Sequence, residues 1–301
     1  MRKLKKTILV LILLSIVVNP AFARRVADFD SKTDILQQVE RKLAFTTDQF
    51  KKGNMTSQAA ADDYLEMMNL LQSLYHQGLN YPQFKSVLRN TKDAVSKYYG
   101  CVYYGGNPVE VGKREQMILG SVALYMSELL EKAPAYIRGE ASQVLEDTIP
   151  LLAEGFKDKL KSILFYLTES SDNLSRFYAV KALGQLIKSS FNPAEQDEIV
   201  RKISGFIDDE DMLVTGGTVQ MLGDVLSSVE INHALRDEII SSLINLYAQP
   251  LRYPVSSYLT ECLRALAGSE PEIWRAQIYE VLGKHHIINR DKTLSDIFDE
   301  D

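Results

Sequence analysis

The second half of the 301-residue chain repeats itself at a step of about 40 residues, and this recurrence limits the fold more than any other feature. "DNLSRFYAVKALGQLI" starts at Asp172 and reaches Leu183-Gly184; "DMLVTGGTVQMLGDVL" starts at Asp211 and reaches Leu222-Gly223, 39 residues later. A weaker copy, "YPVSSYLTECLRAL", puts Leu263 where Leu222 stood. Between these copies lie apolar triplets, Ile163/Tyr166/Leu167, Ile203/Phe206/Ile207, Leu243/Leu246/Tyr247 and Ile278/Val281/Leu282, stepping by 40, 40 and 35. Asp197-Glu198-Ile199 and Asp237-Glu238-Ile239 match at a step of 40. A recurring pair of short amphipathic helices cannot cover its own apolar face, so each pair must stack on the next and bury a continuous core. The pattern predicts an all-α chain with an α-solenoid in its second half.

Arg176, Ala179, Ala182, Leu183 and Gly184 resemble the first-helix pattern of HEAT repeats, particularly the short bacterial kind. Asp172 sits where such repeats carry an aspartate in the preceding turn. The resemblance covers roughly residues 155–287 and weakens along the chain: the second copy has Thr215 for the arginine and Met221 for Ala182, and the third has Arg264 for the glycine. "MILGSVALYMSELL" (Met117 to Leu130) reads as a further diverged copy whose spacing does not fit. The resemblance implies a curved stack of HEAT-like helix pairs whose second helices line a concave surface used to bind other proteins. On those helices Lys161, Glu198, Arg201 and Asn245 are expected to point outward between the core triplets.

Three further amphipathic stripes precede the repeats and show no repeat of their own. Asp30 and Ser31 are candidate caps for a helix through Ile35, Leu36, Val39 and Leu43. A second places Leu65, Met68, Leu71, Leu74 and Tyr75 on one face, and a third Phe84, Val87, Leu88, Ala94, Val95 and Tyr98. "KYYGCVYYGGNP" (Lys97 to Pro108) follows, and its glycines and proline read as a joint. The expected organisation is an N-terminal helical region over 24–108, a repeat array over 109–290 and an acidic tail over 291–301.

The first 23 residues form a basic start (Arg2, Lys3, Lys5, Lys6), an apolar run from Ile8 to Val18, and Ala21-Phe22-Ala23. That run is too short to cross a bilayer as a helix, which takes about 20 residues. The three parts read as a cleaved secretory signal, with a periplasmic or secreted, bacterial destination. After its removal 30 Lys and Arg face 40 Asp and Glu, a formal charge of about −10. That balance argues against general nucleic-acid binding, and membrane association is expected to be peripheral at most.

Candidate chemistry is sparse. The run Asp208 to Asp211 reads as helix capping rather than a calcium loop. His76, His233, His285 and His286 show no metal spacing, and neither metal nor cofactor is expected. Gly216-Gly217, mid-helix, is expected to let neighbouring helices approach closely. Cys262, aligned with Met221 and Ala182, is expected to be buried and inert, and no bridge to Cys101 is expected, because stacked repeats separate the two. Tyr98, Tyr99, Tyr103 and Tyr104 read either as a plug between helices or as rigid contact area for a partner, together with Lys161 and Arg201. The expected function is a non-enzymatic protein-binding or scaffolding module of the bacterial envelope. The alternatives are an enzyme or accessory similar to HEAT-like lyases, and a structural protein that self-associates through the tyrosines.

Overall fold

The computed structural model describes residues 20–75, 77, 79, 81–106, 109, 111–189, 192–249, 255–269 and 271–283. Residues 1–19 of the expected signal, His76, Pro108, His285, His286 and the acidic tail lie outside them. The described residues contain helices and no strand. The helices are α1 (Pro20–Lys51), α2 (Ser57–Tyr75), α3 (Tyr81–Tyr104) and α4 (Lys113–Lys132). They continue as α5 (Ala135–Thr148), α6 (Glu154–Thr168), α7 (Asn173–Ser189), α8 (Pro193–Ser204) and α9 (Met212–Ser228). The last are α10 (His233–Tyr247), α11 (Val255–Ser269) and α12 (272–283). None of them is long and apolar enough to cross a membrane.

The chain divides into two compact units, residues 1–122 and 123–301. The division falls inside α4.

In the first unit α1, α2 and α3 pack against one another. Side-chain bonds set their directions. Thr46 donates to Asp63 at 2.8 Å and Lys42 pairs with Asp63 and Glu66, so α1 and α2 run antiparallel. Tyr75 and Thr91 share a hydrogen bond at 3.1 Å while Ser57 donates to the Gly105 carbonyl at 2.5 Å, so α2 and α3 are antiparallel as well. The predicted apolar faces form this core: Leu36, Val39, Leu43, Leu65, Met68, Leu71, Leu74, Val87, Leu88, Val95 and Tyr98 are buried. Each such side chain taken fully out of water contributes about 1.5–3 kcal/mol.

Two boundaries differ from the sequence reading. α1 starts at Pro20 and not at Asp30; proline suits a first helical turn, where its missing N–H would have had no partner. α3 runs through "KYYGCVYY" to Tyr104, so the expected joint is mostly helix. Gly100 is tolerated there because Tyr98 and Cys101, buried on the core face, hold the helix, and tertiary burial outweighs about 1 kcal/mol of propensity. The turn begins at Gly105-Gly106, where Gly106 takes a φ of +77° that side-chain-bearing residues avoid.

The second unit is an α-solenoid of stacked helix pairs. The first helices α5, α7, α9 and α11 form one packed row, and the second helices α6, α8 and α10 pack beside them. The row is tight because glycines in one helix receive side chains of the next. A Cβ on Gly184 would lie 1.8 Å from Met221 Sδ, and one on Gly223 would lie 2.8 Å from Cys262 Sγ. Gly217 faces the Phe177 ring of α7, and Gly216 faces Tyr258 of α11, so the mid-helix glycines do permit close approach from both sides.

The turns repeat as well. Asp172 accepts from the Ser175 amide at 2.7 Å and pairs with Arg138 of α5. Asp211 caps α9 through the amides of Leu213 and Val214, and accepts from Asn173 Nδ2. Arg176 grips Asp209 with two bonds of 2.9 and 3.1 Å, both side chains being nearly buried. The acidic run is therefore capping and inter-repeat pairing, as its position predicts. Asp197 and Asp237 take matching roles one repeat apart: Asp197 accepts from the Asn232 amide at 3.0 Å, and Asp237 from Trp274 Nε1 at 2.7 Å.

Candidate functional site

Sequence positions 40 apart on α6, α8 and α10 land in equivalent environments. Leu160, Val200 and Ile240 are fully buried, as are Leu167, Ile207 in the turn just past α8, and Tyr247 within a few per cent. The periodic triplets place Tyr166 in the core, whereas it is 65% exposed and donates its hydroxyl to Glu131 at 3.2 Å. The error is one of register: in α6 the buried stripe is Leu160, Leu164 and Leu167, a spacing that the Leu-rich segment "LKSILFYL" leaves ambiguous. Opposite the buried lines, Asp158, Glu198 and Glu238 are exposed at matching positions, one carboxylate per repeat.

Of the expected contact residues on this surface, Arg201 and Asn245 are exposed. Lys161 is not a free cation. Its side chain is only 19% exposed and reaches Glu198 at 3.1 Å and Glu195 at 3.9 Å, joining α6 to α8. Lys202 returns the link by pairing with Glu169, with its ammonium 5.9 Å from the Phe165 ring centroid. Paired charges at a surface contribute little to stability, but they fix which side chains stand between neighbouring helices.

The tyrosines divide between the two roles that the sequence left open. Tyr98 is 0% exposed and belongs to the core, so it offers a partner no contact. Tyr103 and Tyr104 are 51% and 79% exposed at the end of α3, and the Tyr99 ring packs at a tilt against both, with centroids 4.4 and 6.1 Å apart. Helical spacing explains the split: positions 94, 95, 98 and 101 share the buried face, and the other three tyrosines fall beside it.

Both thiols are free and buried. Burial pushes the Cys101 thiol up to about 11. Cys262 is pushed up to about 12, by burial first and then by Asp224, as its packing position predicts. A nucleophilic cysteine needs the opposite shift. A cavity of about 230 Å³ beside Cys262, between α9 and α11, is lined by Gln220, Asp224, Ser227, Tyr258 and Glu261. In the first unit an open groove of about 650 Å³ runs between α1 and α3, where Glu40, Asp48 and Asp93 face Lys51, Arg89 and Lys97.

No protein-family model and no curated protein matches the chain. Among solved structures it is similar to a designed armadillo repeat protein in complex with the peptide (KR)4, at 13% identity and a TM-score of 0.47 over 76% of this chain and 90% of that one. It is also similar to the archaeal HEAT-like repeats protein from Thermococcus onnurineus, at 13% identity and a TM-score of 0.40 over 83% and 95%. An engineered protein gives 15% and 0.45 over 71% and 86%.

Proposed function

We propose that this chain is an exported, non-enzymatic protein-binding or scaffolding module of the bacterial envelope that acts through the second-helix face of its solenoid. The observation that carries the reading is the exposed row Asp158, Glu198 and Glu238, set at one residue per repeat beside Arg201 and Asn245. Carboxylates at a fixed repeat spacing suit an extended partner, because each repeat offers one a step further along, that of Glu198 shared with Lys161. The basic, apolar and small-residue segments of the first 23 residues support export. The buried, raised thiols of Cys101 and Cys262 support a binding role over a cysteine-dependent one.

The test combines fractionation with charge reversal. The protein should be recovered from the envelope with Arg24 as its first residue. Pull-down after crosslinking should return a partner that is lost when Asp158, Glu198 and Glu238 are all changed to Lys, with the helical circular dichroism unchanged. Turnover of a substrate that is lost on Cys101→Ala would overturn the reading.

A further inference from the structure

The groove of about 650 Å³ between α1 and α3 holds charges of both signs that the fold leaves without partners. Both helices run antiparallel to α2, so they are parallel to each other and the groove follows their common direction. Its first end is closed by Arg89, which pairs with Glu40 at 2.9 Å. Asp48 is taken by Lys52 at 2.8 Å. Asp93, Lys97 and Lys51 also line the groove, and none of the three has an ion pair among the described residues. Asp93 and Lys97 lie one turn apart on α3 with the acid first, the arrangement in which such side chains usually pair. They do not pair, and both charges are left to the groove.

Asn90 is an independent sign of a ligand, and it stands in the lining itself while only 2% exposed. Its amide has a fixed orientation. Glu40, a carboxylate held by Arg89, can only accept, so the Ser86 hydroxyl gives it its proton at 3.1 Å. The Ser86 oxygen is then free to accept from Asn90 Nδ2 at 3.3 Å, and Glu40 Oε1 accepts from the same nitrogen at 3.5 Å. The amide nitrogen must therefore face Ser86 and Glu40, which leaves Asn90 Oδ1 with no donor among the described residues. Polar atoms of buried side chains nearly always find a partner. Here the groove wall carries a fixed, unused acceptor about one turn before Asp93.

We propose that this groove binds a short peptide with both termini free, its ammonium held by Asp93 and the Asn90 oxygen and its carboxylate by Lys97 and Lys51. The lengths agree. Asp93 and Lys97 are about 6 Å apart along the helix axis, and two residues of extended chain span about 7 Å. A simple anion would leave Asp93 and the Asn90 oxygen unused, and a simple cation would leave both lysines unused. A metal ion is not favoured, since among the described residues no three His, Cys, Asp or Glu side chains converge as ligands would. The zwitterion uses all four groups. Between the charges the wall is small and apolar, made by exposed Ala44 above buried Leu43, so it accepts a methyl side chain. The inference does not rest on the second-helix reading, because all of its residues lie within 1–122.

Equilibrium dialysis of the purified full chain against radiolabelled alanyl-alanine tests it, beside the N-acetyl derivative and the carboxamide of the same dipeptide. Alanyl-alanine should bind at millimolar concentration or below. Capping either terminus should weaken binding by about tenfold or more, because each cap removes a charge-assisted bond. Asp93→Asn should weaken alanyl-alanine by about tenfold yet leave the N-acetyl derivative unchanged, and Lys97→Gln should stand in the same relation to the carboxamide. Lys52→Gln alters a paired lysine outside the lining and should leave the affinity as it was. No binding of alanyl-alanine at millimolar concentration overturns the proposal. So do equal affinities for capped and free dipeptide, or a loss in Lys52→Gln as large as that in Lys97→Gln.

Discussion

Gly184 and Gly223 occupy equivalent places one repeat apart, and each receives a side chain of the next first helix, Met221 and Cys262 respectively. Met221 and Cys262 are themselves equivalent, so the solenoid uses one knob and one hole repeatedly. A methyl group on Gly184 would collide with the Met221 thioether and, by overpacking, should destabilise the second unit by about 1–3 kcal/mol. In a Met221→Ala background the collision is gone, and the added Cβ should then gain up to about 1 kcal/mol of helix propensity. Urea unfolding of the two single variants and the double variant checks this. Additive effects would show that the two residues do not share the contact.

The elements show how much of this was legible in the chain. Core faces were read well wherever a helix carried apolar residues on one stripe only, as in α2, where Leu65, Met68, Leu71, Leu74 and Tyr75 are all buried. The Asp-to-Gly step of twelve residues located α7 and α9 and their caps. Reading failed where local signals and packing conflict. The glycine of "KYYGCVYY" suggested a break, and the buried Tyr98 and Cys101 keep the helix intact. The leucines of α6 supplied two registers, and the wrong one placed Tyr166 inside.

Between elements, the aspartates at the turns tie stability to acidity. Burial pushes the Asp172 carboxyl up, but the Ser175 hydroxyl and amide and Arg138 outweigh this and hold it below its ordinary 3.8. Asp211 is held below the same value by Asn173, with the Leu213 and Val214 amides and Arg176 adding to the effect against burial. A carboxyl depressed in the folded state contributes stability that is present above the unfolded pKa and is lost as pH falls through the folded one. The melting temperature should therefore be insensitive to these groups above about pH 5 and fall below pH 3.8. Asp172→Asn should lower it at neutral pH and flatten the acid limb. An unchanged acid limb in that variant would contradict the assignment.

At the scale of the whole molecule, the repeating unit separates two duties. The first helices hold the stack through glycine contacts and capped turns, while the second helices leave Asp158, Glu198 and Glu238 exposed at a common spacing. If the chain works by contact along that row, a partner must touch the second helices and not the first. The most direct measurement is photo-crosslinking in cells, with a crosslinking residue placed at Glu198 or Glu238 on the second helices, or at Gln220 or Arg264 on the first. The account predicts the same partner from both second-helix positions and none from the first-helix positions. Adducts formed equally from both rows, or only from Gln220 and Arg264, would contradict it.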